Sequence, residues 1–160
     1  LYKEPVLWTE NNQVTAKHIA IHTKNNRPDF LVLKKSAFIA SQEDSVRFNQ
    51  IKGKEMVGYF RNNDLYLIDV KEEGKSVYFT KDNDKLIGVN KAECQNMKIY
   101  LHQNKVKKII FLKSINGTLH PMDNEANVEL KLSGFNWYTQ FRPKNKQDIF
   151  IWENEYVKHS

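Results

Sequence analysis

Ile51-Lys52-Gly53-Lys54-Glu55-Met56-Val57-Gly58-Tyr59-Phe60-Arg61-Asn62-Asn63-Asp64-Leu65 is the stretch whose pattern recurs and so decides the fold. Met56 has counterparts at Ile19, 37 residues earlier, and at Met97, 41 residues later. Five positions before each stand Val14, Ile51 and Ala92; three positions before stand the small residues Ala16, Gly53 and Cys94. Two positions later come Ile21, Gly58 and Ile99, and seven later Asn26, Asn63 and Asn104. Counting on from these asparagines, the fifth position holds Leu31, Ile68 and Ile109, and the seventh Leu33, Val70 and Phe111. A Lys-Ser pair follows in each copy: Lys35-Ser36, Lys75-Ser76 and Lys113-Ser114. A period of roughly 40 residues, present three times, marks a repeated supersecondary unit.

The unit reads as β. Apolar and small positions recur at even separations, the period of a strand with one buried face. Turn chemistry separates the runs at 25–29, 62–64 and 82–84, and Asn116-Gly117 carries the signal of a two-residue hairpin turn. No segment suits a helix of ten residues or more. Two to four short strands per unit cannot bury their apolar face alone, so the units must stack or wrap together. An antiparallel jelly roll or sandwich and a short β-solenoid both satisfy this. From Pro121 the repeat decays, although Val128, Leu130 and Leu132 alternate, Ile149 and Ile151 suggest another strand, and Phe135-Asn136-Trp137-Tyr138 is unusually aromatic. Residues 1–121 are therefore expected to form the repeat domain, and 122–160 degenerate strands that cap it or join it to a further domain.

At 160 residues, with 40% hydrophobic and 28% charged side chains, the chain has the size and composition of one domain with a sizeable core. No apolar run approaches the ~20 residues of a membrane helix. The chain opens at Leu1 without a basic start or apolar signal core, so export is not legible from the residues. The formal charge of +6, mostly lysine in excess, favours anionic partners or simply a solvated lysine surface. Only Lys105, Lys107 and Lys108 cluster locally, a candidate anion-binding rim.

Residues for catalysis are not assembled. His18 and His22 share a strand face, but two imidazoles lack the third protein ligand of a catalytic zinc. Cys94 with His102 or His120 could be drawn as nucleophile and base, yet its column holds Ala16 and Gly53 elsewhere, which marks a small packed residue. Glu43-Asp44 and Glu72-Glu73 fall in polar loop stretches, and no phosphate-binding glycine loop or nucleophile elbow occurs. A binding or carrier module is expected, without enzyme activity, metal or cofactor.

Gln13-Val14-Thr15-Ala16 leading to Ile19 and Ile21, the run 51–56 with Asn63-Asp64-Leu65, Gly74-Lys75-Ser76-Val77-Tyr78-Phe79 and Ile87-Gly88-Val89-Asn90-Lys91 together resemble the OstA-like domain of lipopolysaccharide transport, over about residues 1–121. The resemblance implies an open, groove-like antiparallel β-jelly roll whose apolar interior holds acyl chains. It also implies a periplasmic location and edge-to-edge pairing with like domains, bridging toward the outer membrane. The lining is then expected at Ile19, Ile21, Leu33, Met56, Phe60, Ile68, Val70, Met97, Ile99, Leu101, Ile109 and Phe111. A lipid partner fits the energetics: each buried methylene contributes ~0.8 kcal/mol, whereas an exposed lysine–phosphate pair contributes ~0–1 kcal/mol. The alternatives are a closed dry core, a structural module that self-associates by its edge strands, and a basic nucleic-acid binder of OB type. The last needs aromatics aligned on one exposed face, and Tyr59, Tyr66, Tyr78 and Tyr100 are expected on differing columns.

Overall fold

The computed structural model describes residues 5–9, 12–103, 105–122 and 130–138. They form β1 (Val6–Thr9), β2 (Asn12–Thr15), β3 (His18–Lys24), β4 (Arg27–Gln42), β5 (Phe48–Arg61), β6 (Asp64–Asp82), β7 (Lys85–His102), β8 (Lys105–Leu112) and β9 (Asn116–Pro121). All are antiparallel members of one sheet, in the order β1-β2-β4-β5-β6-β7-β8, with β3 also on β4 and β9 also on β7. No α-helix occurs among the described residues. The described residues are all-β, as expected, and their sheet is open.

Asparagine sets the hairpins. Asn25-Asn26, Asn62-Asn63 and Asn83-Asp84 hold φ between 50° and 68°, the left-handed conformation a two-residue type I′ turn requires and Asn and Asp tolerate best. The connection from β4 to β5 is instead pinned by Asp44, whose carboxylate accepts from the Val46 and Arg47 amides at 2.9 and 2.8 Å and pairs with the Arg47 guanidinium at 2.6 Å. The Val46 amide hydrogen bond leads the contacts that hold the Asp44 carboxyl below its usual range.

Strands β4 to β7 are 14 to 19 residues long, and each is interrupted midway. Register shifts fall between Lys34 and Ala37, Lys52 and Glu55, and Lys71 and Gly74. Three left-handed pairs lie along this line: Lys35-Ser36, Glu72-Glu73 and Lys113-Ser114, with φ of 49° to 64°. Neighbouring strands follow the same line, since the Lys17 amide donates to Lys35 O and the Gln95 amide to Lys113 O, each at 3.0 Å. The line is a crease that divides the sheet into two leaves. Leaf A comprises β3, residues 27–34, 55–61, 64–71 and 96–102, and β8. Leaf B comprises β1, β2, residues 37–42, 48–53, 74–82 and 85–94, and β9.

Two sequence expectations change here. Asn116-Gly117 is not a turn: both are extended in β9, opposite Glu93 and Ala92, and the left-handed pair sits earlier, at Lys113-Ser114. The Lys-Ser pairs are not equivalent either. Those at 35–36 and 113–114 form the crease, whereas Lys75-Ser76 is extended and Glu72-Glu73 takes the crease position in that copy. A local pair pattern cannot reveal which residues a neighbouring strand leaves unpaired.

Candidate functional site

The repeat columns become rows across the inner face of leaf A. Pairing aligns Ile19, Leu33, Met56, Val70, Met97 and Phe111 in one row, and Ile21, Leu31, Gly58, Ile68, Ile99 and Ile109 in the next. Phe60 with Leu65, and Leu101 with Val106, extend the face to its far end. All twelve expected lining residues belong to, or pack against, one apolar cluster, joined from leaf B by Leu7, Val14, Ile39 and Ile51. The two leaves thus share one interior. Its centre is closed, with Leu33, Met56, Val70, Met97 and Ile99 at 0% exposure. Its margins are half-buried at Ile19 and Ile21 on β3, and at Val106, Ile109 and Phe111 on β8.

The small-residue column is the inside of the crease. Ala37 pairs with Gly53, and Gly74 with Cys94. A Cβ at Gly53 would lie 2.4 Å from Val70 Cγ1, and one at Gly74 would lie 2.9 Å from Met97 Cε. Cys94 is buried, with its Sγ 3.1 Å from Asn96 O, and burial pushes its thiol pKa up. A thiol with a raised folded pKa favours the protonated form, so it supports the fold below the unfolded thiol value and loses that support as pH rises above it. Alkylation of the intact protein is therefore expected to lag far behind a free-cysteine peptide at pH 8, with unfolding becoming easier through the alkaline range. Labelling at the peptide rate would contradict this placement.

The inner face of leaf B turns polar away from the crease. Asn12, Ser41 and Asn49 stand in one cross-strand row, and Tyr78 and Asn90 face each other beyond them. Tyr78 reaches across the interior, its hydroxyl donating to Val106 O on β8 at 3.3 Å. Burial, with Glu43 close by, pushes the Tyr78 phenol pKa up. Glu43 accepts from Asn49 Nδ2 at 3.1 Å and also pairs with Lys81, and the hydrogen bond from Lys81 to Glu43 leads in raising the Lys81 pKa.

The two outer faces differ. Residues 130–138 cross that of leaf B as a strap, irregular where strands were expected at Leu130 and Leu132. Two buried glutamines hold it. Gln13 donates to Asn136 O and accepts from the Tyr138 amide, both at 2.7 Å. Gln50 donates to Leu130 O at 2.7 Å and accepts from the Leu132 amide at 2.8 Å. Each side-chain amide supplies the donor and acceptor that a neighbouring strand would, so the strap needs no ladder of its own. Trp137 meets Trp8 and Phe48, each with centroids 4.9 Å apart, and Phe135 meets Phe48 at 4.9 Å. Leu130 and Leu132 cover Val77, Phe79 and Val89. Val128, Ile149 and Ile151 lie outside the described residues.

Leaf A's outer face carries no such strap among the described residues. Pairing aligns His22, Phe30, Tyr59, Leu67, Tyr100 and Lys108 in one row. This corrects the expectation for the tyrosines: Tyr59 and Tyr100 share a row on the outside, while Tyr78 points into the interior. His22 stacks on Phe30 with centroids 4.3 Å apart, and both His18 and His22 are exposed. The lysine cluster also divides. Lys108 stands outside, opposite Tyr100 and on the other side of the sheet from the apolar rows, so it cannot rim the interior as expected. Lys105 and Lys107 are exposed on the edge strand.

No family model, curated protein or solved structure matches this chain in the comparisons made with each.

Proposed function

We propose that this chain is a non-enzymatic periplasmic carrier or bridge module, an open jelly roll of about three repeats that holds lipopolysaccharide acyl chains on their way to the outer membrane. The observation that carries this reading is the pair of continuous apolar rows on one face of a sheet that does not close, with half-buried margins at β3 and β8. The closed centre narrows the mechanism. Acyl chains enter at a margin and part the leaves, exchanging contacts with Ile19, Ile21, Ile109 and Phe111 for contacts with lipid methylenes. Among the described residues no strand pairs with the outer edges of β1, β3, β8 and β9, which leaves room for strands of like modules to add.

A photoreactive residue at Phe60 or Phe111 is expected to form adducts with added lipopolysaccharide, and one at Lys75, on the outer face, is not. Absence of adducts from every inward position would overturn the carrier reading. The same free edges support a second reading, a structural module that self-associates without lipid. Concentration-dependent association of delipidated protein, without any shift of a fluorescent lipid A analogue, would favour it.

A further inference from the structure

We infer that the outer face of leaf A is a binding site for an acidic saccharide, separate from the apolar interior and independent of what that interior carries. Two observations meet there. The first is the row of Phe30, Tyr59 and Tyr100, all half-buried, so that each ring is partly open to solvent. They span three strand steps, about 14 Å at ~4.8 Å per strand, the length of a short oligosaccharide. One face of Phe30 is taken by the stacked His22 ring, and the remaining aromatic surface of the row offers apolar contact to the C–H faces of sugars.

The second is a depression of about 430 Å³ lined by Asp69, Lys71, Glu72, Gln95, Asn96, Lys98 and Leu112, with Lys98 two residues before Tyr100 on the same face of β7. Its floor is ordered by backbone pairing, with Asp69 opposite Lys98 and Lys71 opposite Asn96, and by the Glu72 amide donating to Asn96 Oδ1 at 3.1 Å. The lining mixes strong acceptors, the carboxylates of Asp69 and Glu72, with strong donors, the ammonium groups of Lys71 and Lys98 and the amides. A ligand satisfied by both must itself donate and accept, as sugar hydroxyls do. A phosphodiester backbone or a carboxylate side chain only accepts, so it would satisfy the lysines and leave Asp69 and Glu72 without donors, whereas the hydroxyls of a saccharide serve both. The lining itself balances Lys71 and Lys98 against Asp69 and Glu72, so the preference for a saccharide bearing carboxylate or phosphate groups rests on Lys108 opposite Tyr100 and on the chain's formal charge of +6.

Calorimetric titration with a galacturonate hexamer, maltohexaose and a twelve-residue oligothymidine separates the possibilities. The acidic hexamer is expected to bind, the neutral one more weakly, and the oligothymidine least. Tyr100→Leu, which keeps an apolar side chain but removes the ring, is expected to weaken hexamer binding about tenfold. Asp69→Asn and Lys98→Gln should each weaken it too, and amide shifts on titration should centre on 67–71 and 96–100. Unfolding midpoints near the parent's show that each variant folds. Should Tyr100→Leu fail that check, the Asp69 and Lys98 variants and the shift map still decide. Tighter binding of oligothymidine, hexamer binding indifferent to these variants, or no hexamer binding would each overturn the proposal. None of these outcomes bears on crosslinking from Phe60, which reads the interior.

Discussion

Gly53→Leu is expected to cost about 3 kcal/mol or more in urea unfolding, the upper range for overpacking a filled interior. The cost follows from the crease. The first added atom would stand 2.4 Å from Val70 Cγ1, with Glu72 O at 3.5 Å. Val70 is β-branched and fully buried, so it cannot swing aside. The other glycines make a graded control. At Gly58 the nearest atom is Leu65 Cδ2 at 2.9 Å, the end of a flexible side chain, so Gly58→Ala should cost about 1 kcal/mol. At Gly117 nothing lies nearer than 3.7 Å, and Gly117→Ala should stabilise by about 0.5 kcal/mol through the unfolded chain. A reversed order would mean that the crease does not bring the strands this close.

The strap provides the second large effect. Phe48 touches both Phe135 and Trp137, and its substitution by alanine is expected to cost about 3 kcal/mol. Tryptophan emission should shift to the red as Trp137 and Trp8 gain water. Gln50→Leu would leave Leu130 O and the Leu132 amide without their partner, at a cost of about 2 kcal/mol. If both variants unfold at the parent's denaturant concentration with unchanged emission, the strap contributes nothing to the fold.

The inner face was legible in the sequence because a period of two, repeated at near-constant intervals, fixes which residues share a row. All twelve residues expected to line the interior lie in or against its apolar cluster. What escaped depends on pairing between strands. Nothing local distinguishes Lys75-Ser76 from Lys35-Ser36, since the left-handed pair goes where the neighbouring strand leaves residues unopposed. Asn116-Gly117 has ideal turn chemistry, but pairing with Glu93 and Ala92 holds it extended. Tyr59 and Tyr100 each stand three residues after a methionine of the repeat, a signal present in the sequence. The strap was visible only as an aromatic run at 135–138. Its partners Gln13 and Gln50 lie 123 and 80 residues away, and a buried glutamine has no sequence signature.

The strap also governs the order in which the fold can be completed. From β4 to β8 each strand pairs with its immediate successor, so these ladders close short loops and can zip up one hairpin at a time as the chain emerges. The strap's hydrogen bonds join residues 80 to 125 apart, and with the Trp8–Trp137 contact they carry the largest loop-closure entropy described in the molecule. They form last, once β2 and β5 are in place to present their glutamines. A chain interrupted before residue 130 would hold an assembled sheet in which Trp8 and Phe48 lack the aromatic partners that the strap brings, and so a partly made molecule with apolar rings open to water.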